Sequence, residues 1–511
     1  MKNKAYFEFL FLALLGALSS LSLPPYNYLF LNFISFSLFF IFICKKKISN
    51  DRNNSFIYGW AFGLGYFLFG LYWISISLTF DANFKFLIPF ALILIPAFLA
   101  LFYGLATYCL FLFNVKKIVS LFFLFSLFFG ITEFIRGTIL TGFPWNLVAY
   151  SFSENLEIIQ IISSIGTYAF NMLCVSFFAS PAIFILRQSK KEIIVCILFL
   201  ISPIILYMIG SSKIKNFQSS EKIKNEYLIR IIGSNIELER FYGRTETRSV
   251  IYELIKLSDP NLDKKTLFIW PEGIIPNINQ SELKRYKLLF NEQFNKNHLI
   301  GLGINDYKNK EGKSRFYNSF SIYDSEVNLV AAYNKVNLVP FGEFLPFEKI
   351  LKKIGLKSLT NQYQSYSKGK SRKIIEIDQN NINLKLLPLI CYEIIYTGKI
   401  FKNSEFDYIV NISEDGWFGN SIGPQQHFTH SIFRALESGK YLIRSANNGI
   451  AAIINPVGLV EKKIPYGKSG YIDFTEKRII DNTLFSEMGN KMFLITTLLY
   501  IFLIFSFNRI L

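Results

Sequence analysis

A carboxylate, an ammonium and a thiol stand at the ends of three apolar, strand-like runs. They are Glu272 in FIWPEGIIP, Lys335 in AAYNKVNLVPFGEFLPF and Cys391 in LLPLICYEIIY. A cysteine nucleophile needs a base to take its proton, and its tetrahedral intermediate needs positive charge and backbone N–H donors nearby. Glu272, Lys335 and the amide after Cys391 supply these if the three run ends converge at one rim of a sheet. Glu343, eight residues after Lys335, and Tyr392 and Glu393, directly after the thiol, add further polar groups. Taken singly, each residue has a plainer reading. A buried cysteine is usually a small hydrophobe, and a lone Glu or Lys is usually solvated. Their shared context favours chemistry.

The chain has five cysteines. Cys44, Cys109, Cys174 and Cys196 lie in or beside long apolar segments, so Cys391 alone falls in a region of ordinary polarity. There is no CxxC pair, HExxH or Walker A sequence, and GLGIND lacks dinucleotide-fingerprint spacing. Neither a metal nor a cofactor is expected.

The elements that must position these residues divide unevenly. Of 511 residues, 51% are hydrophobic, with 55 Phe and 28 Tyr, which is too apolar for an ordinary soluble protein. Seven apolar runs precede residue 210: about 5–22, 27–44, 56–80, 86–113, 117–136, 157–186 and 191–209. An eighth covers about 490–507. The expected architecture is a membrane helical bundle of about eight spans with an α/β domain: residues 1–210, then 211–489, then a closing span over 490–511. The net charge of +17 is read as topology rather than nucleic-acid binding. Lys and Arg fill alternate loops (MKNK, KKKISNDR, NVKK, RQSKKE), whereas PPYN and TFDANF carry none. The positive-inside rule then puts both termini in the cytoplasm and residues 211–489 outside it.

Within the polar region YLIRIIG, TLFIW, HLIGLGI, SFSIY, LKLLPLIC, DYIVNI and GIAAIINP read as strands, and 281–296 and 426–438 as helices. Such alternation suggests a layered α/β domain.

The ordered set WPEG, NKxNLVPFGEFLPF, CYE and DGWFG resembles the nitrilase superfamily. With the spans, GFPWNLVAY (142–150), SIGPQQHF (421–428) and RSANNG (444–449), the whole chain resembles the apolipoprotein N-acyltransferase family. The resemblance implies an αββα sandwich, with Glu272 as general base, Lys335 as oxyanion stabiliser and Cys391 as nucleophile. Glu343, Tyr392 and Glu393 become supporting residues. It also implies a phospholipid acyl donor, a diacylglyceryl-modified apolipoprotein acceptor, surrounding membrane lipids, and a multi-pass home in the bacterial inner membrane with the catalytic domain in the periplasm. Two positions depart from the family pattern: Glu414 in SEDGWFG, and Tyr242 in IELERFYG where relatives carry Trp.

Three rivals follow from the same residues. One is a membrane-tethered nitrilase-type amidase releasing ammonia from a small amide. Another is a Cys–His hydrolase using His427 or His430. The third is a transporter, disfavoured because ionisable residues inside the spans are sparse (Glu8, Glu133, Arg136). The apolar loop 336–371 is expected to gate lipid entry.

Overall fold

The computed structural model describes residues 2–310, 313–346, 365–379, 382–398 and 405–510. Among the described residues, six helical segments are long and apolar enough to cross a membrane: Ser55–Thr79, Ala82–Leu112, Ile118–Thr138, Ile162–Leu186, Lys190–Ser219 and Lys491–Asn508. Two further apolar helices, Lys2–Ser20 and Phe30–Ile48, pack with them, the second ending on Lys45, Lys46 and Lys47. Lipid offers no hydrophobic drive between helices, so small residues let backbones touch. A Cβ at Gly16 would collide with the Phe62 carbonyl, and one at Gly65 with that of Ala13. Two expected spans differ in detail. The run from 56 continues beyond helix Ser55–Leu71 as the 3-10 turns Tyr72–Thr79, and the run from 157 breaks into Leu156–Ile159 and Ile162–Leu186.

The polar region folds into two sheets. The first contains β1 (Ile223–Gly233), β2 (Thr266–Ile269), β3 (Ile275–Asn279), β4 (His298–Lys310), β5 (Lys313–Asp324) and β6 (Leu329–Asn334). The second contains β7 (Ile375–Gln379), β8 (Ile382–Ile390), β9 (Tyr408–Glu414), β10 (Tyr441–Asn447), β11 (Ala451–Ile454) and β12 (Val460–Ile464). The last strand, β13 (Gly470–Lys477), returns to pair antiparallel with β1. Strand order is β13-β1-β2-β4-β5-β6, with β3 on β4, facing β12-β11-β10-β9-β8-β7. In each sheet the central pairs β1–β2–β4 and β8–β9–β10 run parallel.

Side chains alternate across each strand. Ile229, Ile231, Leu267 and Ile269 meet Leu384, Leu386, Val410 and Ile443 between the sheets. Phe268 and Trp270 point the other way, under helix Thr247–Ser258 with Val250, Ile251 and Leu254. The outer face of the second sheet carries helix Gly423–Ser438, and this layer shares one continuous core with the bundle. The order is helix, sheet, sheet, helix, and the second helix layer rests on the membrane part.

Candidate active site

Each chemical residue sits where a strand ends. Glu272 follows β2 and is buried. Its Oε1 accepts from Asn318 Nδ2 at 2.7 Å and Lys335 Nζ at 3.1 Å, and its Oε2 accepts from the Glu414 N–H at 3.0 Å. Lys335 follows β6, only 1% exposed, and its Nζ also donates to Glu343 Oε1 at 3.0 Å. Glu343 Oε1 takes a second bond from Asn318 Nδ2 at 2.8 Å, and its Oε2 is held by the Val339 N–H at 2.8 Å. One amide thus bridges two carboxylates that share one ammonium. Burial works against the Lys335 charge, but Glu272 and Glu343 outweigh it and hold its pKa well above the ordinary range.

Cys391 opens a 3-10 turn, Cys391–Ile395, directly after β8. Its φ of +47° is one that L-residues rarely adopt, which makes this a sharp elbow, and such conformations persist only where the surroundings enforce them. Glu393 provides that enforcement. Buried completely, its Oε1 accepts from Tyr333 Oη (2.9 Å) and the Val336 and Asn337 N–H groups (2.8 and 3.0 Å), and its Oε2 from the Ile390 N–H (2.9 Å). It therefore ties the elbow to the loop that carries Lys335. Burial pushes the Cys391 thiol pKa well up; Glu272 raises it further and Lys335 opposes. The resting thiol is protonated, with a carboxylate and an ammonium within its electrostatic reach.

The residue after the thiol turns toward the bundle. Tyr392 Oη donates to the Gly142 carbonyl at 3.0 Å, and Tyr396 Oη to that of Thr141 at 2.7 Å. The loop they grip is held by Arg136, which bonds the Phe143 carbonyl and pairs with Glu133 inside helix Ile118–Thr138. Of the three in-span charges singled out in the sequence, Glu133 and Arg136 are thus paired with one another and Glu8 pairs with Lys46.

A second charged group lies on the other side of the elbow. Asp415 accepts from Ser413 Oγ at 2.6 Å and Arg444 Nη2 at 2.8 Å, and its Oδ1 is 2.8 Å from His427 Nδ1. His427 Nε2 lies 3.3 Å from the Cys391 carbonyl oxygen. Both imidazole nitrogens are therefore engaged away from the thiol, and burial lowers the ring's pKa. His430 packs against Trp145 and Tyr150. Neither ring nitrogen of His427 is turned to the Cys391 sulfur, whereas Glu272 acts on the thiol electrostatically. Glu414, the departure in SEDGWFG, is buried against Arg240, which anchors the turn Leu238–Tyr242 containing the other departure.

Sequence reasoning missed Asn318, which stands inside β5 with no motif around it. It also missed the Asp415–Arg444 pair, although both residues lie in motifs it quoted.

Two family descriptions match separate parts of the chain. "Apolipoprotein N-acyltransferase N-terminal domain" covers residues 15–180, and "Carbon-nitrogen hydrolase" covers residues 266–495. The apolipoprotein N-acyltransferase of Rhodopseudomonas palustris is 32% identical over 495 residues, spanning 93% of this chain and 90% of that protein. The chain belongs to the apolipoprotein N-acyltransferase family. The Rickettsia bellii member is 33% identical over 501 residues, spanning 98% of this chain and 96% of its own; that of Rhizobium leguminosarum is 32% identical over 484, spanning 91% and 89%. Like its family, the chain joins a helical membrane part to a nitrilase-type α/β domain, and it is a multi-pass membrane protein.

Proposed function

We propose that the chain N-acylates the N-terminal diacylglyceryl-cysteine of bacterial lipoproteins with an acyl chain taken from a phospholipid, in two steps through Cys391. Glu272 takes the thiol proton as sulfur attacks the ester carbonyl carbon. Lys335 and a backbone N–H beside the elbow receive the oxyanion. Collapse breaks the ester C–O bond, and Glu272 returns its proton to the departing lysophospholipid oxygen. The thioester is then attacked by the α-amine, Glu272 takes the amine proton, the C–S bond breaks, and the thiolate is reprotonated. One site serves both substrates in turn, which gives ping-pong kinetics.

The observation that carries this reading is the protonated thiol beside a buried Glu272–Lys335 pair in a chain of this family. Both substrates are lipids, and withdrawing acyl chains from a bilayer costs roughly 0.8 kcal/mol per CH₂, so the chemistry must come to the membrane. We place the division of the chain at residues 1–210, 211–489 and 490–511, the protein in the inner membrane, and the central domain in the periplasm. The alternation of basic loops supports that orientation. A reporter fused after Ser212 should work only if it functions outside the cytoplasm; the reverse would overturn the topology.

The test is intact-mass measurement of the purified protein mixed with phospholipid. An acyl adduct on Cys391, absent from Cys391→Ala, is expected. Full transfer by Cys391→Ala sinks the mechanism, and ammonia release from a small soluble amide without acyl transfer would favour the amidase.

A further inference from the structure

Helix Lys190–Ser219 changes character along its length. Ile204, Ile205, Met208 and Ile209 are large, apolar and exposed, whereas the sequence from Ser211 onward, SSKIKNFQSS, is mostly polar. At that boundary lies a cavity of about 610 Å³, inside the roughly 300–1,000 Å³ range of ligand-holding clefts. Its walls come from this helix, from the start of helix Ile162–Leu186, and from the linker at 479–484 that leads into the last span. No residue of the Cys391 cluster lines it.

Lys213 stands in the wall, partly withdrawn from water. Its Nζ donates to Ser163 Oγ at 2.6 Å, and that hydroxyl in turn donates to the Gln160 carbonyl at 2.7 Å. Among the described ion pairs none includes Lys213, so two of its three N–H donors and its whole charge are uncommitted. Asp481, the carboxylate of the lining, is exposed and makes no described ion pair with it. Ser164, Ser212 and Asn482 add neutral polar groups. A half-desolvated ammonium is costly alone and favourable against a phosphate oxygen.

We propose that this cavity holds the headgroup of a structural phospholipid, separate from the acyl donor. Lys213 bonds the anionic phosphodiester, and the acyl chains lie along the apolar face that ends at Ile209. The occupant is a lipid rather than free phosphate, because the cavity opens where the exposed apolar face stops. This inference rests on the membrane-spanning reading and not on the reaction.

The test uses the full chain carrying Cys391→Ala, which forms no thioester, delipidated in detergent and titrated with dioleoylphosphatidylglycerol. Bound lipids are counted by native mass spectrometry, and unfolding temperature is followed in parallel. Adding Lys213→Gln should remove one bound lipid and weaken the corresponding midpoint about tenfold, the factor set by one charge-assisted hydrogen bond. Lys213→Arg should retain both. Dioleoylglycerol, with the same chains and no phosphate, should not fill the site, and neither should inorganic phosphate. Equal lipid counts and midpoints in Lys213→Gln, or equal binding of dioleoylglycerol, would overturn the proposal. Equal stabilisation by inorganic phosphate would overturn the lipid assignment. Should Lys213→Gln fail to fold, Ser212→Asp sets a carboxylate beside Lys213 that offsets its charge at an exposed position and should lose the same lipid; unchanged binding there is equally fatal.

Discussion

Two buried charged clusters flank Cys391, and they are built from similar parts for opposite ends. On one side Glu272, Lys335 and Glu343 share protons around Asn318. On the other, Asp415, Arg444 and His427 do the same around Ser413. The first group sets a carboxylate, Glu272, and an ammonium, Lys335, within electrostatic reach of the thiol. The second turns its histidine to the Cys391 carbonyl and reaches the thiol through Asp415 and Ser413. Charge, burial and hydrogen bonding do not by themselves mark a catalytic group; what separates the two is that the first holds an ammonium, Lys335, that counters negative charge at the sulfur.

Mutations should separate them in kind. Arg444→Met leaves Asp415 buried without its strongest partner, and breaking a buried pair typically costs about 3–5 kcal/mol. Thermal unfolding should shift down sharply while the folded fraction still forms thioester. A variant of normal stability that forms none would erase the distinction. Glu272→Gln should do the reverse: near-normal unfolding, with acyl-enzyme formation slowed roughly 10²–10³-fold, the usual loss when one such group is removed. Lys335→Met should slow the same step comparably, read as the rate at which the adduct mass appears.

Acid titration sharpens the comparison further. Burial raises the Asp415 pKa, but Arg444 and His427 overcome it and bring the carboxyl from 3.8 to about 2. The folded pKa is the lower one, so between about pH 4 and 2 the unfolded chain binds more protons. The contribution, about 2 kcal/mol, is complete above pH 4 and disappears as pH falls toward 2. Unfolding measured against pH should show this slope in the wild type and lose it in Asp415→Asn. A slope unchanged in the variant would assign it elsewhere.

The smallest expected effect concerns the loop after Lys335. Of residues 336–371, those at 347–364 lie outside the described residues, including Phe347, Ile350, Leu351 and Gly355. Among the rest, Leu338 and Leu345 are buried, whereas Phe341 is 52% exposed at a φ of +64°. Phe341→Ser should change stability by less than about 1 kcal/mol yet slow turnover on bilayer-embedded substrates. Normal turnover with a lowered melting temperature would make Phe341 a packing residue.

Much of this was legible in the chain because period and polarity reported it. The seven runs read as strands lie within or overlap β1, β2, β4, β5, β8, β9 and β11. Others carried too little apolar signal: β12 is an edge strand reading VEKKI, and β10 buries Arg444 in its middle. The helix expected over 281–296 shrinks to the 3-10 turn Leu283–Tyr286 and the five-residue helix Lys287–Asn291, since its apolar residues serve a short cap beneath β2 and β4 rather than a full helix face. Glu272, Lys335 and Cys391 stood out through their motifs. Asn318 could not, because its two partners lie 46 and 25 residues away and only folding brings them to one amide.

The hydroxyls of Tyr392 and Tyr396 fasten the elbow to carbonyls at Gly142 and Thr141, on a loop gripped by a charge pair inside a span. The height of the sulfur above the bilayer midplane is therefore inherited from the bundle. Spans respond to hydrocarbon thickness by tilting, at fractions of a kcal/mol per ångström of mismatch. If the proposed lipid chemistry holds, a thicker or thinner membrane would shift the thiol against the layer where lipid esters lie, and membrane thickness would become a setting of the enzyme's rate.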